Sequence, residues 1–354
     1  MFTRATLTSR PVITSAAILG AGAASFYLTR PKPIQFESAM NPGAGTQLAP
    51  DTMTNTTKAG IAAPKKTFTF PVWSHGLKVS RVEQINHDTK KITFELPEQD
   101  SISGIPPSAA VLTQHTPSGA WFPVFRPYTP ISSPDTPGSL TLLVKKYPQG
   151  RASAHLHSLI PGSTLTFRGP IPGYAYTPSP TTTRSILLIA GGAGITPLYS
   201  LTKSILSDPT DKTRIELIWG VNGPQDMVLR SELSALESQH PERLSVTYAI
   251  SGPSSDLSRS DPQKFPEGRI TKTILEQVIR KFESQPTSSS SSAAAAAKAK
   301  VSSQSKSDPT VWGDAKGTKV FLCGPPAMEE SIASKKTGGI LGELGIGKKE
   351  VYRF

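Results

Sequence analysis

The chain has 354 residues, which at about 150 residues per domain predicts two domains with additional linker. Its formal charge is +12, but lysine and arginine are spread along the whole chain, so no nucleic-acid partner is expected. The single cysteine, Cys323, excludes an internal disulfide framework, a four-cysteine zinc site and an iron–sulfur cluster built by this chain alone, because each needs several cysteines.

The first 36 residues carry basic but no acidic side chains, and the uncharged apolar run 11–29 approaches the length of a membrane-spanning helix. Three interpretations compete: a secretory signal, a matrix-type transit peptide and a single membrane anchor. The absence of acidic residues favours a mitochondrial signal and the apolar length favours an anchor, so we interpret 1–36 as a mitochondrial signal-anchor. An uncleaved chain would reside in the mitochondrial outer membrane, and a processed form in the intermembrane space.

Residues 37–69 are rich in Gly, Ala, Thr and Pro without a sustained period, which predicts a flexible tether. Between 70 and 180, short alternating runs recur between turn residues, which is typical of an antiparallel barrel or sandwich. The predicted strands are 78–85, 91–96, 110–115, 140–146 and 164–168. A helix is predicted over 152–160, where Pro161 and Gly162 stop it.

From 181 to 354 the pattern changes to apolar runs that alternate with helical stretches, which predicts a doubly wound parallel sheet. The predicted strands are 186–190, 215–220, 244–250 and 319–323, and the predicted helices are 197–206, 225–238, 272–282 and 327–334. Residues 284–310 contain serine and alanine runs and are predicted to be a solvated low-complexity insertion without an assigned function.

The strongest local signal is the segment 187–198, an apolar run followed by a glycine-rich turn and a helix start. Glycines let the backbone approach a pyrophosphate closely, and the helix start presents free amides to its charge. Thr196 is the predicted N-cap and Pro197 the first helical residue. The spacing departs from G-x-G-x-x-G, since Pro197 stands where the third glycine belongs, and a tight turn without a ligand remains an alternative.

A second candidate is 125–132, where prolines bracket a Tyr-Thr pair beside Arg126. Guanidinium binds phosphate bidentately, tyrosine packs on planar rings and threonine can bond a ring nitrogen, so the chemistry suits a flavin nucleotide. A proline-rich strand end with no ligand is an equally open interpretation.

A third candidate is 320–328, a strand that runs into a Gly-Pro-Pro turn and a helix. In open α/β sheets ligands bind beyond the carboxyl ends of strands, where Cys323 is expected. A lone cysteine is also commonly a small buried apolar filler, so both interpretations stay open.

Lys145 and Tyr147 at a strand end, with the helix start at 150–153, form a further candidate phosphate site. An ordinary turn and helix cap is the alternative. The segment 342–348 has P-loop spacing, but Lys349 follows where Ser or Thr belongs, so ATP binding is not predicted there.

These motifs gain weight from their order along the chain, which is R-P-Y-T at 126–129, K-x-Y at 145–147 with G-R-A-S at 150–153, G-G-A-G-I-T-P at 191–197, C-G-P-P at 323–326 and an aromatic Phe354. The series resembles the ferredoxin–NADP reductase superfamily and, within it, the NADH–cytochrome b5 reductases of the fungal mitochondrial form. The resemblance covers about residues 77–354 apart from the insertion. It implies an antiparallel β-barrel FAD-binding domain over 70–180 and a Rossmann-like NAD(P)H-binding domain over 181–354.

The resemblance also implies roles for individual residues. On the FAD side, Arg126 with Pro127 would hold the pyrophosphate, Tyr128 would lie along the flavin, and Thr129 would bond near flavin N5. Further FAD contacts are implied for Leu143, Lys145, Arg151, Ala152 and Ser153. On the nicotinamide side, the implied contacts are Gly191, Gly192, Gly194, Thr196, Cys323, Gly324, Pro325, Pro326, Met328 and Phe354. Thr129 and Cys323 would stand at the reacting rings, and no metal is implied.

The implied reaction is hydride transfer from NADH to FAD followed by single-electron steps to the haem of cytochrome b5 or a similar protein, by a monomer. A related reductase serving another haem or a small acceptor is one alternative, and an inactive nucleotide-binding scaffold is another. The sequence departs from the family at Ser251, where an acidic residue often follows the strand 244–250, so NADPH is not excluded.

Overall fold

The computed structural model describes residues 63–69, 75–253, 256–284 and 311–354. The predicted signal-anchor, most of the tether and nearly all of the Ser- and Ala-rich insertion lie outside these residues. Among the helices that are described, none combines the length and apolarity needed to cross a bilayer.

The first part of the described chain forms a six-stranded antiparallel sheet. Its elements are β1 (His75–Gln84), β2 (Thr89–Glu95), β3 (Ala110–His115), β4 (Val124–Tyr128), β5 (Ser139–Lys145), α1 (Arg151–Ser158) and β6 (Thr164–Ile171). The strand order is β4-β3-β6-β1-β2-β5. A backbone hydrogen bond from Ile131 N to Thr141 O (2.9 Å) joins the segment after β4 to β5, at the other end of that order. The predicted antiparallel architecture is confirmed.

Alternating apolar residues explain why these strands bury one face. In β2, Ile92 and Phe94 are fully buried and alternate with more accessible neighbours. The ring of Phe94 packs edge-to-face on Phe167 of β6, with 4.9 Å between ring centres, so the core lies between the curled halves of the sheet.

The sequence did not predict β4 as a strand because prolines interrupt it. Pro127 lies inside β4, opposite Leu112 of β3. Since β4 is at the end of the strand order, a missing amide is tolerated there. The R-P-Y-T motif therefore lies on an edge strand.

The second part of the described chain forms a parallel sheet with helices on both faces, as predicted. Its strands are β7 (Arg184–Gly191), β8 (Arg214–Val221), β9 (Leu244–Ile250), β10 (Val311–Trp312), β11 (Val320–Cys323) and β12 (Val351–Arg353). Its helices are α2 (Ile195–Ser207), α3 (Arg230–Gln239), α4 (Asp256–Ser260), α5 (Lys272–Ser284), α6 (Pro326–Ala333) and α7 (Gly339–Glu343). The order is β12-β11-β7-β8-β9, with β10 also paired to β7.

Near-continuous apolar runs in this sheet reflect burial of both faces. Leu188 and Ala190 of β7 belong to the core beneath α2, whereas Leu187 and Ile189 belong to the core shared with α5 and α6. One predicted helix is shorter than expected: α3 begins at Arg230 rather than 225, because Pro224–Asp226 forms a separate 3₁₀ turn.

Tyr174, which follows β6, fastens the antiparallel sheet to the parallel one. Its hydroxyl donates to Asp314 and lies 2.8 Å from the hydroxyl oxygen of Thr318. Its ring packs edge-to-face on Phe321 of β11 at 4.8 Å and on Tyr352 of β12 at the same distance. The two sheets therefore form one compact unit from residue 61 to 354, with a cleft where the carboxyl ends of the parallel strands face the antiparallel sheet.

Candidate functional site

A cavity of about 670 Å³ lies beyond the carboxyl ends of β7, β8 and β9 and extends to the antiparallel sheet. This volume falls within the range of cofactor and ligand sites, and the position is the one at which open α/β sheets bind nucleotides. The antiparallel sheet and its following turn contribute Thr89, Leu143, Lys145 and Tyr147 to the wall. The cavity is therefore shared by both parts of the molecule.

The glycine-rich turn after β7 is shaped by close backbone contacts. A Cβ on Gly191 would lie 2.3 Å from Met328 Sδ, and one on Gly194 would lie 2.2 Å from the carbonyl oxygen of Cys323. Gly192 has φ +50° and nothing within 4 Å of its missing Cβ, so it faces the open cavity. The indole nitrogen of Trp219 donates to Gly192 O at 3.0 Å and fixes the turn. This backbone cradle fits the phosphates of a dinucleotide.

The helix after this turn begins earlier than predicted. A 3₁₀ turn over Gly192–Gly194 leads into α2 at Ile195, so Gly194 occupies the N-cap position. The predicted N-cap role of Thr196 is wrong, because its hydroxyl donates to Ala193 O at 3.3 Å instead of accepting an amide. Thr196 nevertheless lines the cavity, as the predicted site requires.

Cys323 ends β11 beside the glycine turn, where it pairs with Ala190. Burial, reinforced by the carboxylate of Glu329, raises the pKa of its thiol to about 12, so the thiol is protonated at neutral pH. The backbone amide of Gly324 donates to Glu329 Oε1 at 3.0 Å and holds the turn that follows. A neutral, polarisable thiol is thus presented at the strand end, and it is not a nucleophile.

Lys145 crosses from β5 to the parallel-sheet part of the molecule. Its ammonium lies 2.6 Å from Asp88 Oδ2 and 3.2 Å from Asp226 Oδ1, and only 21% of its side chain is exposed. Burial alone would lower the pKa of Lys145, but its hydrogen bonds to the two carboxylates raise it. Nearby, the amide of Asn86 donates to Gln225 O at 2.9 Å. We call the three charged residues Asp88, Lys145 and Asp226 the inter-sheet ion triad.

The R-P-Y-T motif presents its side chains outward from the edge strand. Arg126 and Pro127 are exposed, and the Arg126 guanidinium donates locally, to Phe125 O at 2.7 Å. Tyr128 is half-buried, and burial raises its pKa to about 12, with the nearby Tyr147 adding to the rise. Thr129 is nearly buried just after the strand.

Helix α1 packs beside β4. Ser153 donates to Gly150 O at 3.0 Å and accepts from the amide of Tyr147 at 3.2 Å, so its hydroxyl closes the turn before the helix. Arg151 is exposed and Ala152 is buried. First-turn amides, an arginine on the neighbouring strand and a half-buried tyrosine supply the donors and the ring surface that FAD needs.

The structure brings together two groups of the predicted residues. Those that line the cavity are Leu143, Lys145, Gly191, Gly192, Thr196, Pro325 and Met328. The predicted residues of β4 and α1 form a second group beside Tyr147. The Tyr147 phenol contributes to the raised pKa of Tyr128. Pro326 begins α6. Phe354 packs on Tyr352, with 5.0 Å between ring centres, and its amide donates to Leu322 O, so it lies beside the end of β11 rather than in the cavity wall.

Sequence reasoning missed several residues of the cavity wall. Asp226 and Trp219 carry no local signal, since one lies in a short turn and the other in the middle of an apolar run. The far wall includes further unpredicted residues, which are Asn222, Arg269, Thr271 and Lys272. Only the pairing of distant segments places them there.

Comparison with known families agrees with this architecture. Residues 76–176 match the oxidoreductase FAD-binding domain, and residues 188–334 match the oxidoreductase NAD-binding domain. The NADH-cytochrome b5 reductase 2 of Pyricularia oryzae is 35% identical over 305 residues, which cover 84% of this chain and 80% of that protein. The protein of the same name from Botryotinia fuckeliana is 36% identical over 78% of this chain and 71% of its own.

Solved structures share the fold. The cytochrome b5 reductase domain of Ulva prolifera nitrate reductase matches with a TM-score of 0.62 and 25% identity, covering 82% of this chain and all of that domain (100%). The CS-b5R domains of human Ncb5or match with a TM-score of 0.58 and 20% identity, covering 80% of this chain and 70% of that one. With its FAD- and NAD-binding domains and these relatives, the chain belongs to the NADH–cytochrome b5 reductase family.

Proposed function

We propose that this protein is an NADH–cytochrome b5 reductase. When bound, FAD supplies the chemistry that links a two-electron hydride donor to a one-electron haem acceptor. The observation that carries the proposal is the shared cavity, in which the glycine cradle of the parallel sheet faces residues of the antiparallel sheet. No side chain has to act as an acid or base in such a reaction.

The residues of this chain bind FAD and the dinucleotide and orient them relative to each other. The glycine turn and the start of α2 hold the dinucleotide phosphates, and Trp219 keeps the turn in place. Arg126 and the first turn of α1 hold the FAD phosphates, while Tyr128 and Thr129 contact the flavin. Cys323 closes the nicotinamide end as a neutral group that excludes water.

Basic residues near the flavin motifs are proposed to steer an acidic cytochrome. Of the candidates on the strand end and α1, Lys146 and Arg151 are exposed. Lys145 is not available for this role, because its ammonium is paired with Asp88 and Asp226 in the inter-sheet ion triad. We expect Lys146→Glu to lower the rate with cytochrome b5 and to flatten its salt dependence while the flavin content and the rate of flavin reduction by NADH stay unchanged. An unchanged rate and salt dependence would contradict the steering role.

We also propose that the N-terminal segment anchors the protein in the mitochondrial outer membrane and that the protein acts as a monomer. The basic, acid-free and apolar character of 1–36 supports the anchor. Fractionation of mitochondria with carbonate extraction tests it, and recovery of the full-length chain in the soluble fraction would contradict it.

The decisive experiment is an anaerobic titration of the purified yellow protein with NADH, followed by cytochrome b5. One equivalent of NADH should bleach the flavin absorption, and two equivalents of oxidised cytochrome b5 should restore it. A protein that binds FAD but is not bleached by NADH would be a scaffold. A protein that is bleached but passes no electrons to cytochrome b5 would serve another acceptor.

A further inference from the structure

The far end of the cavity is formed where β8 and β9 finish. Strands in a sheet are spaced by about 4.8 Å, so β9, three positions from β11 in the strand order, ends about 14 Å from Cys323. The wall there includes Asn222, Ser251, Arg269 and Lys272. A dinucleotide whose nicotinamide lies beside Cys323 therefore places its adenosine among these residues.

Among the described residues, this end of the cavity lacks the carboxylate that selects a free ribose. Nucleotide sites of open α/β sheets prefer NAD when a carboxylate at a strand end bonds the ribose 2′-hydroxyl, and accept a 2′-phosphate when an arginine lies there. The residues after β8 and β9 are Asn222 and Ser251, which are both uncharged. Among the described residues that line the cavity the carboxylate is that of Asp226, and it is bound by Lys145.

Arg269 is brought next to Ser251 by pairing outside the main sheet. Ile250, the last residue of β9, bridges in parallel to Glu267, and the amide of Gly268 donates to Ile250 O at 2.7 Å. Gly268 has φ +97°, a conformation that favours glycine, and it turns the chain so that Arg269 reaches the cavity wall. Glu267 does not line the cavity.

The cationic character of this wall comes mainly from Arg269. Lys272 lies 3.1 Å from Glu343 Oε2, so much of its charge is already balanced. The Ser251 hydroxyl lies 3.2 Å from Val221 O and 3.4 Å from Asn222 Oδ1, and it can rotate to donate toward the cavity. A guanidinium with a neighbouring hydroxyl is a suitable donor set for a phosphate dianion.

We propose that this end of the cavity binds a 2′-phosphate on the adenosine ribose, so that the protein uses NADPH as well as NADH, with Arg269 and Ser251 as specificity-determining residues. The inference rests on the proposed function, since it concerns the same dinucleotide site. The names of the relatives mention NADH alone, so use of NADPH would distinguish this protein from them.

The test measures equilibrium binding, independent of turnover. Isothermal titration of the FAD-loaded protein with 5′-AMP and with 2′,5′-ADP isolates the contribution of the 2′-phosphate. We expect 2′,5′-ADP to bind about tenfold more tightly at low salt and the advantage to shrink as salt screens it. Equal or weaker binding of 2′,5′-ADP would overturn the inference while leaving the proposed function intact. If the protein bound neither nucleotide nor NADH, the proposed function itself would fail.

Two variants and a control assign the effect to residues. Arg269→Glu should shift the ratio of the two dissociation constants toward 5′-AMP by more than about tenfold, and Ser251→Asp should shift it in the same direction. The ratio of kcat/KM for NADPH to that for NADH should fall in parallel. Arg280→Glu places the same charge change on an exposed position of α5 outside the cavity wall, and its ratio should stay within about twofold.

Retained flavin absorption and an unchanged melting temperature show that each variant is folded. If the ratio of dissociation constants is unchanged in both Arg269→Glu and Ser251→Asp, these residues do not bind the 2′-phosphate and the inference is wrong. A shift of equal size in Arg280→Glu would likewise contradict it, since the effect would then reflect net charge alone.

Discussion

The two sheets build their parts of the site in opposite ways. In the parallel sheet the site is made by backbone packed against backbone: Gly194 leaves no room for a Cβ beside Cys323. In the antiparallel sheet the site is made by exposed side chains of an edge strand, where the Arg126 guanidinium bonds the carbonyl of its neighbour Phe125. One half is therefore fixed by its packing, whereas the other offers donors to a cofactor.

This difference predicts where a substitution changes stability and where it changes cofactor binding. A methyl group added at the glycine turn must push on the end of β11, so it alters folding and geometry together. Removal of the Arg126 side chain from β4 leaves the core untouched, because this side chain lies on the exposed side of an edge strand. Four measurements test this contrast.

The largest effect is expected for Gly194→Ala. Gly194 has φ −63°, which alanine adopts freely, so its effect comes from the Cβ that would lie 2.2 Å from Cys323 O. Relief of this overlap must move the start of α2 or the end of β11, and a misplacement of about 1 Å can lower a rate by about a hundredfold. Stopped-flow reduction of the flavin by NADH should show this loss, with a stability loss of about 1–3 kcal/mol in urea.

Gly347→Ala is the matched control for this substitution. Gly347 also has an ordinary φ of −71°, but the nearest atom to a Cβ there would be a side-chain oxygen, Glu350 Oε2, at 3.3 Å rather than a backbone oxygen at 2.2 Å. Flavin reduction should be unchanged, and stability should change by less than about 0.5 kcal/mol. Equal losses in the two variants would show that the overlap with Cys323 O is not the cause of the loss.

The second effect concerns the reactivity of Cys323. Burial raises the pKa of this thiol from 9.0 to about 12, so at pH 8 the thiolate fraction is about a thousandfold lower than in an unperturbed thiol. A more basic thiolate is intrinsically more nucleophilic, which reduces the expected slowing of iodoacetamide alkylation to roughly thirtyfold. The rate should rise about tenfold per pH unit between pH 7 and 9.

Because Cys323 is the only cysteine of the chain, the same protein unfolded in urea provides the control. One thiol per chain should then react at the rate of an ordinary cysteine. Fast alkylation of the folded protein at pH 8 would mean that the Cys323 thiol is less buried than the structure indicates.

The same contrast explains which features the sequence could predict. The parallel-sheet motifs were recognisable because a buried strand followed by glycines is a local pattern, and both 187–198 and 320–328 fall where the structure has strand, turn and helix. The start of α2 was misplaced because a 3₁₀ turn over Gly192–Gly194 extends the helix backward, and proline at 197 wrongly suggested a later start.

Other features depend on contacts between distant segments. β4 was missed because Pro127 argues against a strand unless the strand is known to be at an edge. Lys145 was predicted to touch the flavin nucleotide, but no local pattern could reveal that Asp88 and Asp226 would bind it from two sides. Arg269 reaches the cavity only through the pairing of Glu267 with Ile250.

A third measurement uses Arg126→Ala to test the part of the site that exposed side chains of β4 form. If Arg126 holds the FAD phosphates, its loss removes a charge-assisted interaction and should weaken FAD binding by about tenfold or more. The stability of the FAD-free protein should change by less than about 0.5 kcal/mol, because the side chain is exposed. Fluorescence titration of the apoprotein with FAD measures the first quantity and urea unfolding the second. Arg168→Ala, on β6 two strands away from β4, is the control, since its guanidinium bonds Gln114 instead (2.7 Å).

The smallest effect concerns the inter-sheet ion triad, which links the two halves. Burial would raise the pKa of Asp88, but hydrogen bonds from Lys145 and Thr89 and the charge of Lys145 outweigh it, so the pKa lies below its ordinary value of 3.8. A carboxyl group whose pKa is lowered by folding stabilises the protein above its unfolded pKa, and this stabilisation is lost as the pH falls through the folded pKa. Asp88→Asn should therefore cost about 1 kcal/mol at pH 7 and less near pH 3.

Urea unfolding of the wild type and Asp88→Asn at pH 7 and pH 3 measures this difference. Asp256→Asn is the control, because the Asp256 side chain is 95% exposed and pairs with Arg259 of its own helix. Its cost should stay below about 0.5 kcal/mol at either pH. A cost for Asp88→Asn that did not diminish at pH 3 would place its origin in packing rather than charge. The two sheets would then be held together by the Tyr174 contacts, with the ion triad contributing little.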